Sequence, residues 1–448
     1  MTSLFKESSI TLITRLAGFV VAMGTSIIIA RILGPTAKGS YTLFLLTVNT
    51  VVLLVLFGLG SANVYYGAKD RALLPALTGN SILAAFGLGL LSITSVEILI
   101  RISAVQQYYL DNYIDLTQLR LFTLVVPVLL LQAYLVEIVR AAGNILYYNL
   151  LNLWKLLANF VMVALLVGLY RQDLTSALIA WVLAAIFTLL PTWLFALQES
   201  KWKVNLNMPL LWQSFKFGGR LYPGNIAQFL NYRLDIFLVG FFLTPFEIGI
   251  YTTASSLAQK LWEFPHAIRT VLLYRVASQT KNSQAIITTT QVTRIIALLM
   301  ATLCILFALG SYPLVLILYG TEYISAVVPL VLLMPGIWTL SIGKLLSIHL
   351  AGIGKPEIGT LGAVISLIAT VTLDLILIPA IGIAGAAIAS SVAYTVATIV
   401  YLIAFIRITK TSFTEILLIK PQDILLIKTK ITGQFGRLSK KYSAKGNP

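Results

Sequence analysis

Apolar residues occur along this chain in long, nearly uninterrupted runs. A bilayer core requires about 20 predominantly apolar residues per helix, because backbone groups in hydrocarbon must be paired within the segment. Runs of this length predict an all-α integral membrane protein with twelve transmembrane helices. The predicted ranges are 10–33, 41–66, 79–100, 121–139, 145–170, 175–197, 213–242, 248–273, 294–318, 324–349, 358–379 and 382–406.

Glycine and proline mark several of the predicted helix ends. Gly/Pro turns at 34–35, 244–245 and 354–356 fall between predicted helices, where a helix is expected to stop. Three prolines fall inside predicted spans instead: Pro265, Pro313 and Pro335. Proline lacks a backbone N–H and clashes with the preceding turn, so we expect a kink or a break at each of them.

The composition excludes soluble classes of protein. Of 448 residues, 58% are hydrophobic and 11% are charged, whereas about a quarter of a typical globular domain is charged. The chain lacks the polar residues that a soluble enzyme, a disordered protein or a nucleic-acid-binding module requires. Its 32 Lys and Arg against 16 Asp and Glu give a net charge of +16, which on an apolar chain indicates contact with anionic lipid.

The positions of the loop charges predict orientation and domain limits. Twenty Lys and Arg residues lie in the loops, in the tail or in the first turn of a span on the side of the two termini, and four lie on the other side. By the positive-inside rule, both termini are cytoplasmic. We predict an N-terminal six-helix lobe (1–198), a cytoplasmic linker (199–212), a C-terminal six-helix lobe (213–407) and a basic cytoplasmic tail (408–448).

An internal repeat relates the two predicted lobes. Residues 33–42 (LGPTAKGSYT) align with 243–252 (LTPFEIGIYT) at a shift of 210, and five of the ten positions are identical. Both copies join the first and second helix of a six-helix half. Because six is even, both halves insert in the same orientation, which predicts a pseudo-two-fold axis along the membrane normal.

Four short motifs resemble those of oligosaccharide flippases of the polysaccharide transporter family (O-antigen flippase type). They are 30–41 (ARILGPTAKGSY), 231–238 (NYRLDIFL), 249–254 (GIYTTA) and 261–265 (LWEFP). That family belongs to the multidrug/oligosaccharidyl-lipid/polysaccharide exporter superfamily. The resemblance implies a bacterial inner-membrane protein that is not an enzyme. It also implies movement of oligosaccharides linked to a polyprenyl pyrophosphate, of the undecaprenyl type, from the cytoplasmic to the outer leaflet.

Charged residues inside the predicted spans are the candidates for function. The cations are Arg15, Arg31, Lys155, Arg220, Arg233, Lys260, Arg269 and Lys344, and the carboxylates are Glu97, Glu137, Asp235, Glu263 and Asp374. A charge at the bilayer centre costs roughly 2.5–3.5 kcal/mol on the insertion scale. Glu97 with Arg101 and Glu137 with Arg140 have the spacing of simple ion pairs on a helix.

Polar residues also follow one face of two successive predicted helices. Asn225, Gln228, Tyr232 and Asp235 form the first stripe, and Thr252, Ser256, Gln259, Glu263 and His266 form the second. Steps of three and four place each set on one helical face. Such stripes indicate either the walls of a hydrated cavity or a buried hydrogen-bonded seam between helices.

We predict a cationic cavity that binds the pyrophosphate and works by alternating access between the lobes. Its predicted cations are Arg15, Lys155, Arg220, Arg233 and Lys260. Asn225, Gln228 and Gln259 are predicted to bind sugar hydroxyls, and Asp235, Glu263 and Asp374 to pair with the cations or to couple transport to a proton or Na⁺. No GxxxxGK[ST] run is present, so we predict no nucleotide, and no metal or other cofactor is expected.

Three other functions remain open. A multidrug exporter of the same superfamily matches in length, although cationic drugs call for an anionic cavity. A peptidoglycan-precursor lipid flippase also handles a pyrophosphate, but members of that family usually carry two further helices. A membrane-embedded glycosyltransferase or ligase requires a large extramembrane loop or a carboxylate-rich site. His266, His349 and Cys304 are each interpreted as structural.

Overall fold

The computed structural model describes residues 2–112, 114–278, 282–418, 420, 421 and 423. Within these ranges every regular element is helical, so the all-α prediction is confirmed. Most of the tail predicted at 408–448 lies outside the described residues. The first eight helices are α1 Thr2–Val55, α2 Leu59–Lys69, α3 Leu74–Ile100, α4 Ser103–Asp111, α5 Leu116–Thr123, α6 Val126–Ala141, α7 Ile145–Leu165 and α8 Leu174–Glu199.

The second half of the chain contributes the remaining described helices. They are α9 Met208–Phe242, α10 Pro245–Lys260, α11 Glu263–Ser278, α12 Asn282–Leu309, α13 Ser311–Tyr319, α14 Val327–Gly352, α15 Glu357–Ile381, α16 Ile383–Thr409 and α17 Phe413–Leu417. Asn144, Asp173 and Asn207 begin α7, α8 and α9 by accepting a hydrogen bond from a backbone N–H of the first turn. These side chains satisfy donors that the helix itself cannot pair.

The break between the first two predicted spans lies at Gly34, inside the long helix α1. Gly34 has φ 74° and ψ 177°, and Pro35 follows it. A positive φ is accessible to glycine because it has no Cβ, and proline then starts the next helical segment without needing a donor. The predicted boundary between 10–33 and 41–66 is therefore confirmed.

The three prolines predicted to disturb their helices behave differently. Between α10 and α11 the helix breaks at Leu261 and Trp262, because Pro265 has no N–H to bond with Leu261 one turn earlier. Pro313 lies in the first turn of α13, after a break at Gly310, where proline is tolerated. Pro335 lies inside α14, which continues through it, so the helix does not break there and a kink stays a prediction.

One predicted boundary needs a large correction. Helix α12 begins at Asn282, twelve residues before the predicted start at 294. Its first turns contain a run of polar residues, 288–290 and 293 being threonine, and these hid the helix from a search for apolar runs. Arg294, the first residue of the predicted span, lies well inside the helix instead.

Among the described residues, eight helical segments are long and apolar enough to cross a membrane: Ile13–Val55, Arg71–Ile100, Ile145–Tyr170, Leu174–Glu199, Ser283–Leu309, Thr321–Gly352, Glu357–Ile381 and Ile383–Thr409. They overlap nine of the twelve predicted spans. Four predicted spans are interrupted by a break between two helices: 41–66 between α1 and α2, 121–139 between α5 and α6, 248–273 between α10 and α11, and 294–318 between α12 and α13. Helix α9 is continuous but carries several charges. The chain is thus a multi-pass membrane protein by composition, and the count of twelve stays a prediction.

The chain forms two compact units by internal packing. The first contains 1–255, 312–329 and 371–386, and the second contains 256–311, 330–370 and 387–448. Helices α10, α13, α14, α15 and α16 contribute residues to both. The predicted division into lobes at 1–198 and 213–407 stays a prediction.

Inside the first unit the two copies of the repeat contact each other reciprocally. A Cβ on Gly39 would lie 1.8 Å from the Pro245 carbonyl oxygen, and a Cβ on Gly249 would lie 2.0 Å from the Pro35 carbonyl oxygen. Gly39 and Gly249 are equivalent at the shift of 210, as are Pro35 and Pro245. The glycine of each copy thus packs on the proline of the other, which is the contact expected of a duplicated element around a local two-fold axis.

Candidate functional site

Helix α9 carries five of the predicted site residues in the first unit. Because α9 is continuous from Met208 to Phe242, the predicted stripe of Asn225, Gln228, Tyr232 and Asp235 does lie on one helical face. Asn225 and Gln228 are exposed, Tyr232 is half-buried and Asp235 is buried. The stripe therefore runs from exposed positions in the middle of α9 to a buried position nearer the end of the helix.

Asp235 is held at the buried end of this stripe. Its Oδ2 accepts a 2.5 Å hydrogen bond from the Tyr251 hydroxyl on α10, and its Oδ1 accepts one of 2.8 Å from the Ile236 N–H. Asp235 is 3% exposed and Tyr251 is fully buried. A carboxylate so placed needs hydrogen bonds to replace water, and Tyr251, one of the repeat positions, supplies one.

Asp374 of α15 also belongs to the first unit, but its carboxylate has fewer hydrogen bonds than that of Asp235. It is fully buried, and among the described residues neither carboxylate oxygen has a hydrogen-bond partner. Asp235 acts on it electrostatically. Two carboxylates that repel each other in a buried site are stabilised when a proton or a cation neutralises one of them. The sequence predicted both residues as candidates, but it did not predict that they interact.

Arg15 and Lys155 lie on two helices that pack side by side in the first unit. The Asn149 amide of α7 donates a 2.8 Å hydrogen bond to Thr11 Oγ1 of α1, and one to two turns further on Gly18 packs against the Leu156 side chain. Arg15 and Lys155 fall within this paired stretch, and both side chains are exposed on the surface of the protein. The two paired helices therefore each carry one exposed cation in the same stretch.

Four predicted cations of the first unit have no counter-ion in the described part of the chain. They are Arg15, Lys155, Arg220 and Arg233, and none of them takes part in a salt bridge there. The exposed Glu263, predicted to pair with these cations, belongs to the second unit. The pairing roles of Asp235 and Glu263 remain predictions.

The predicted residues of the second unit lie at the break between α10 and α11. Gln259 and Lys260 end α10, and Glu263 begins α11. The predicted polar stripe from Thr252 to His266 assumed one continuous helix, so the break divides it. This correction follows from Pro265, which the sequence had marked as a helix breaker.

A lysine that the sequence left out of the site stands beside this break. Lys344 of α14 places its Nζ 3.7 Å from the Trp262 ring centroid and 3.5 Å from His266 Nε2. The Trp262 ring in turn packs edge-on against Tyr394, with centroids 5.3 Å apart. An ammonium over an aromatic face is attracted by the ring quadrupole. The sequence signal was present, since Lys344 interrupts an apolar span, but its partners are 78 and 82 residues away in the chain.

Two other residues noted in the sequence have defined structural surroundings. His349 is buried, its Nδ1 lies 2.7 Å from Thr289 Oγ1 and its ring packs against Phe405. Cys304 is buried on α12. Both observations agree with the structural roles predicted for them.

The ion pairs predicted from helical spacing are confirmed. Arg101 lies 3.9 Å from Glu97, and Arg140 lies 3.4 Å from Glu137. Arg120, from α5, adds a 3.0 Å contact to Glu97. The Glu97 cluster lines a cavity of about 510 Å³, which contains none of the residues predicted to bind substrate.

A buried lysine accompanies the repeat contact in the first unit. Lys38 is 6% exposed, donates a 2.7 Å hydrogen bond to Thr253 Oγ1 and lies over the rings of Tyr319 and Tyr323 at 4.5 and 5.2 Å. The sequence placed it in an exposed loop. The two aromatic faces and one hydroxyl replace part of the water that the ammonium loses on burial.

Comparison with known proteins identifies the family. The family model described as "Polysaccharide biosynthesis protein" matches residues 28–328, about two thirds of the chain. The chain belongs to this family. A relative from Haloferax volcanii, the probable low-salt glycan biosynthesis flippase Agl15, is 25% identical over 190 residues. That match spans 41% of this chain and 40% of the relative's length.

Two solved structures have a fold similar to that of this chain. The lipid II flippase MurJ, in an inward closed conformation, is similar with a TM-score of 0.73 at 15% identity over 94% of this chain and 92% of that one. An inward-facing multidrug resistance MATE family transporter reaches 0.70 at 15% identity over 90% and 99%. The resemblance to polysaccharide transporter-type flippases is therefore confirmed, and the named relatives are flippases and transporters rather than enzymes.

Proposed function

We propose that this polysaccharide biosynthesis family member is a flippase for oligosaccharides linked to a polyprenyl pyrophosphate, which it moves from the cytoplasmic to the outer leaflet. The observation that carries the proposal is a set of four cations that have no counter-ion among the described residues of the first unit: Arg15, Lys155, Arg220 and Arg233. A pyrophosphate supplies the missing negative charge, and arginine binds phosphate oxygens in a bidentate manner.

The energetic argument concerns where these cations lie. Arg15 and Lys155 belong to segments apolar enough to span a membrane. An uncompensated cation at such a depth costs roughly 2.5–3.5 kcal/mol. Retaining several of them is favourable only where water or an anionic ligand reaches them. The exposed amides of Asn225 and Gln228, on the same helix as Arg220 and Arg233, suit the hydroxyls of the attached sugars.

The named relatives support a lipid-linked cargo. Agl15 is described as a glycan biosynthesis flippase, and MurJ as a flippase of lipid II. The MATE transporters share the fold and suggest a multidrug exporter as the second candidate. The charge of the site favours the flippase over the multidrug exporter, because a cationic drug would be repelled by the same four cations that attract a pyrophosphate.

The energy source in this proposal is a proton or Na⁺ gradient acting at Asp235 and Asp374. A cation that binds between two buried carboxylates relieves their repulsion and satisfies the Asp374 oxygens. Its release restores the repulsion. Binding and release therefore favour different arrangements of α9 and α15, which is the differential interaction that coupled transport requires.

Reconstituted proteoliposomes test the proposal. A polyprenyl pyrophosphate carrying a labelled oligosaccharide is incorporated with the protein, and its transfer is followed with a membrane-impermeant reagent that reacts with the sugar. We expect Arg220→Gln and Arg233→Gln to slow transfer at least tenfold. Arg171→Gln is the matched control, because Arg171 is exposed and already paired with Asp173 at 2.8 Å. Transfer that is unaffected by both site variants, or a preference for cationic drugs, would contradict the proposal.

A further inference from the structure

The chain reverses direction directly after its last apolar helix. Helix α16 ends at Thr409, and Lys410, with φ 56°, donates its N–H to the Ile406 carbonyl at 2.8 Å. The short helix α17 follows. Ser412 caps α17 by accepting from the Glu415 N–H, and the Glu415 carboxylate accepts from the Ser412 N–H. The reversal therefore has a defined structure, built from local hydrogen bonds.

Arg294 of α12 holds this reversed segment at two separate points. Its Nε and Nη2 donate to the two carboxylate oxygens of Asp423, at 2.6 and 3.1 Å. Its Nη1 donates to the Glu415 carbonyl. The side chains of Arg294 and Asp423 are 7% and 1% exposed, and Ile416 is fully buried beside them. One guanidinium thus fixes both α17 and the chain beyond it against α12.

The opposite face of the segment is exposed, apolar and cationic. Phe413 and Leu418 are 54% and 61% exposed, and Arg407, Lys410 and Lys420 are exposed as well. Of the two acidic residues in 407–423, Asp423 is buried in its pair with Arg294, and Glu415 is exposed and accepts from the Ser412 N–H. The exposed surface formed by Arg407, Lys410, Phe413, Leu418 and Lys420, called the basic turn below, therefore presents three cations beside one carboxylate and has a net positive charge.

The sequence that follows adds to this charge. Residues 424–448 contain six Lys and Arg and no Asp or Glu. Exposed apolar side chains next to cations are the pattern of a segment that lies in the membrane interface, with its apolar groups at the acyl boundary and its cations at lipid phosphates. The position supports a lipid headgroup as the ligand, because Arg407 lies in the last turn of α16, a helix apolar enough to span the bilayer, and the other residues of the basic turn follow directly.

We propose that the basic turn is an interfacial anchor that binds anionic phospholipid headgroups, and that the Arg294–Asp423 pair positions it for this binding. The basic turn belongs to the second unit and shares no residue with the proposed transport site. Its function is therefore independent of the transported lipid. The proposal would hold even if the cargo assigned above were wrong.

A fluorescent probe on the basic turn provides the test. Thr414→Cys, in a Cys304→Ala background, is labelled with an environment-sensitive dye, and the full-length protein is reconstituted into vesicles of phosphatidylcholine alone or with phosphatidylglycerol. We expect a blue shift of emission only with phosphatidylglycerol, reversed by high salt. Removing Lys410 or Lys420 by substitution with Gln should weaken the interaction about fivefold for each cation. Equal spectra in the two lipids would overturn the proposal, as would a requirement for an added acidic protein.

The role of the Arg294–Asp423 pair needs its own variants. Asp423→Asn should abolish the phosphatidylglycerol response, and the exchange Arg294→Asp with Asp423→Arg should restore part of it by rebuilding the pair with reversed polarity. Size-exclusion profiles and thermal unfolding establish that each variant is folded. An unchanged lipid response in a folded Asp423→Asn protein would show that the pair does not position the anchor.

Discussion

The backbone of Gly39 lies against the carbonyl of Pro245, at a distance that leaves no room for a side chain. The equivalent pair, Gly249 and Pro35, makes the same contact in the other direction. Each pair joins one copy of the repeat to the other. The two repeated segments seen in the sequence therefore also pack against each other. The conserved spacing of Pro and Gly within the two copies thus has a steric reason.

The first prediction concerns these two glycines. We expect Gly39→Ala and Gly249→Ala each to lower the free energy of unfolding by about 2 kcal/mol or more, because the new methyl group meets a backbone atom that cannot rotate away. Thermal unfolding in detergent measures the effect. Gly87→Ala is the control, since a Cβ there meets nothing within 4 Å inside α3, and it should stabilise the protein by about 0.5–1 kcal/mol. Equal effects at positions 39 and 87 would contradict the steric argument.

A structural feature of this protein can be predicted from the sequence when the interacting residues lie close together in the chain. Helix ends at Gly34 and Pro265 follow from backbone chemistry within a few residues, and the Glu97–Arg101 pair follows from helical spacing. The Arg294–Asp423 pair joins residues 129 apart, and Lys38 meets Thr253 across 215 residues. A pattern of neighbouring residues in the sequence does not predict contacts over such distances. The sequence therefore identified Asp235 and Asp374 as candidates without showing that they act on each other.

The second prediction concerns the hydrogen bond that Tyr251 donates to Asp235. Tyr251→Phe removes the hydrogen bond to Asp235 and should destabilise the protein by about 1–3 kcal/mol, because a buried carboxylate loses one of its hydrogen-bond donors. Tyr312→Phe, at a tyrosine that is 52% exposed, serves as the control and should have little effect. Differential scanning fluorimetry distinguishes the two outcomes.

The third prediction concerns Asp374, whose carboxylate oxygens accept no hydrogen bond from the described residues. Asp374→Asn should leave the unfolding temperature unchanged or raise it, because it replaces a carboxylate by a neutral group in a buried site. If the proposed coupling is right, the same variant transports at a rate that no longer depends on the proton or Na⁺ gradient. Retained gradient dependence in proteoliposomes would remove Asp374 from the coupling site, while leaving the lipid-linked cargo untouched.

The fourth prediction compares two arginines by the sign of their effect on stability. Arg233 has no counter-ion in the described ranges, so Arg233→Gln should stabilise the protein by about 1 kcal/mol while it slows transport. Arg294 belongs to a buried pair, so Arg294→Gln should destabilise it by about 3 kcal/mol, since Asp423 is then buried without its partner. A purely structural Arg233 would show loss of stability together with loss of transport. Unfolding curves and transport rates measured on the same preparations separate these cases.

The last prediction uses pH to test the docking of the reversed segment. Hydrogen bonds from the Arg294 guanidinium hold the pKa of the Asp423 carboxyl below its ordinary value, which is about 3.9 in an unfolded chain. A carboxyl with a lowered pKa contributes stability that is fully present above that ordinary value and is lost as the pH falls through the lowered one. We therefore expect the segment to stay docked from neutral pH down to about pH 4–5 and to detach only in stronger acid. Hydrogen exchange of the α17 amides measures docking directly. Asp423→Asn should show fast exchange at every pH, and protection of α17 in that variant would mean that Ile416, rather than the ion pair, holds the segment on α12.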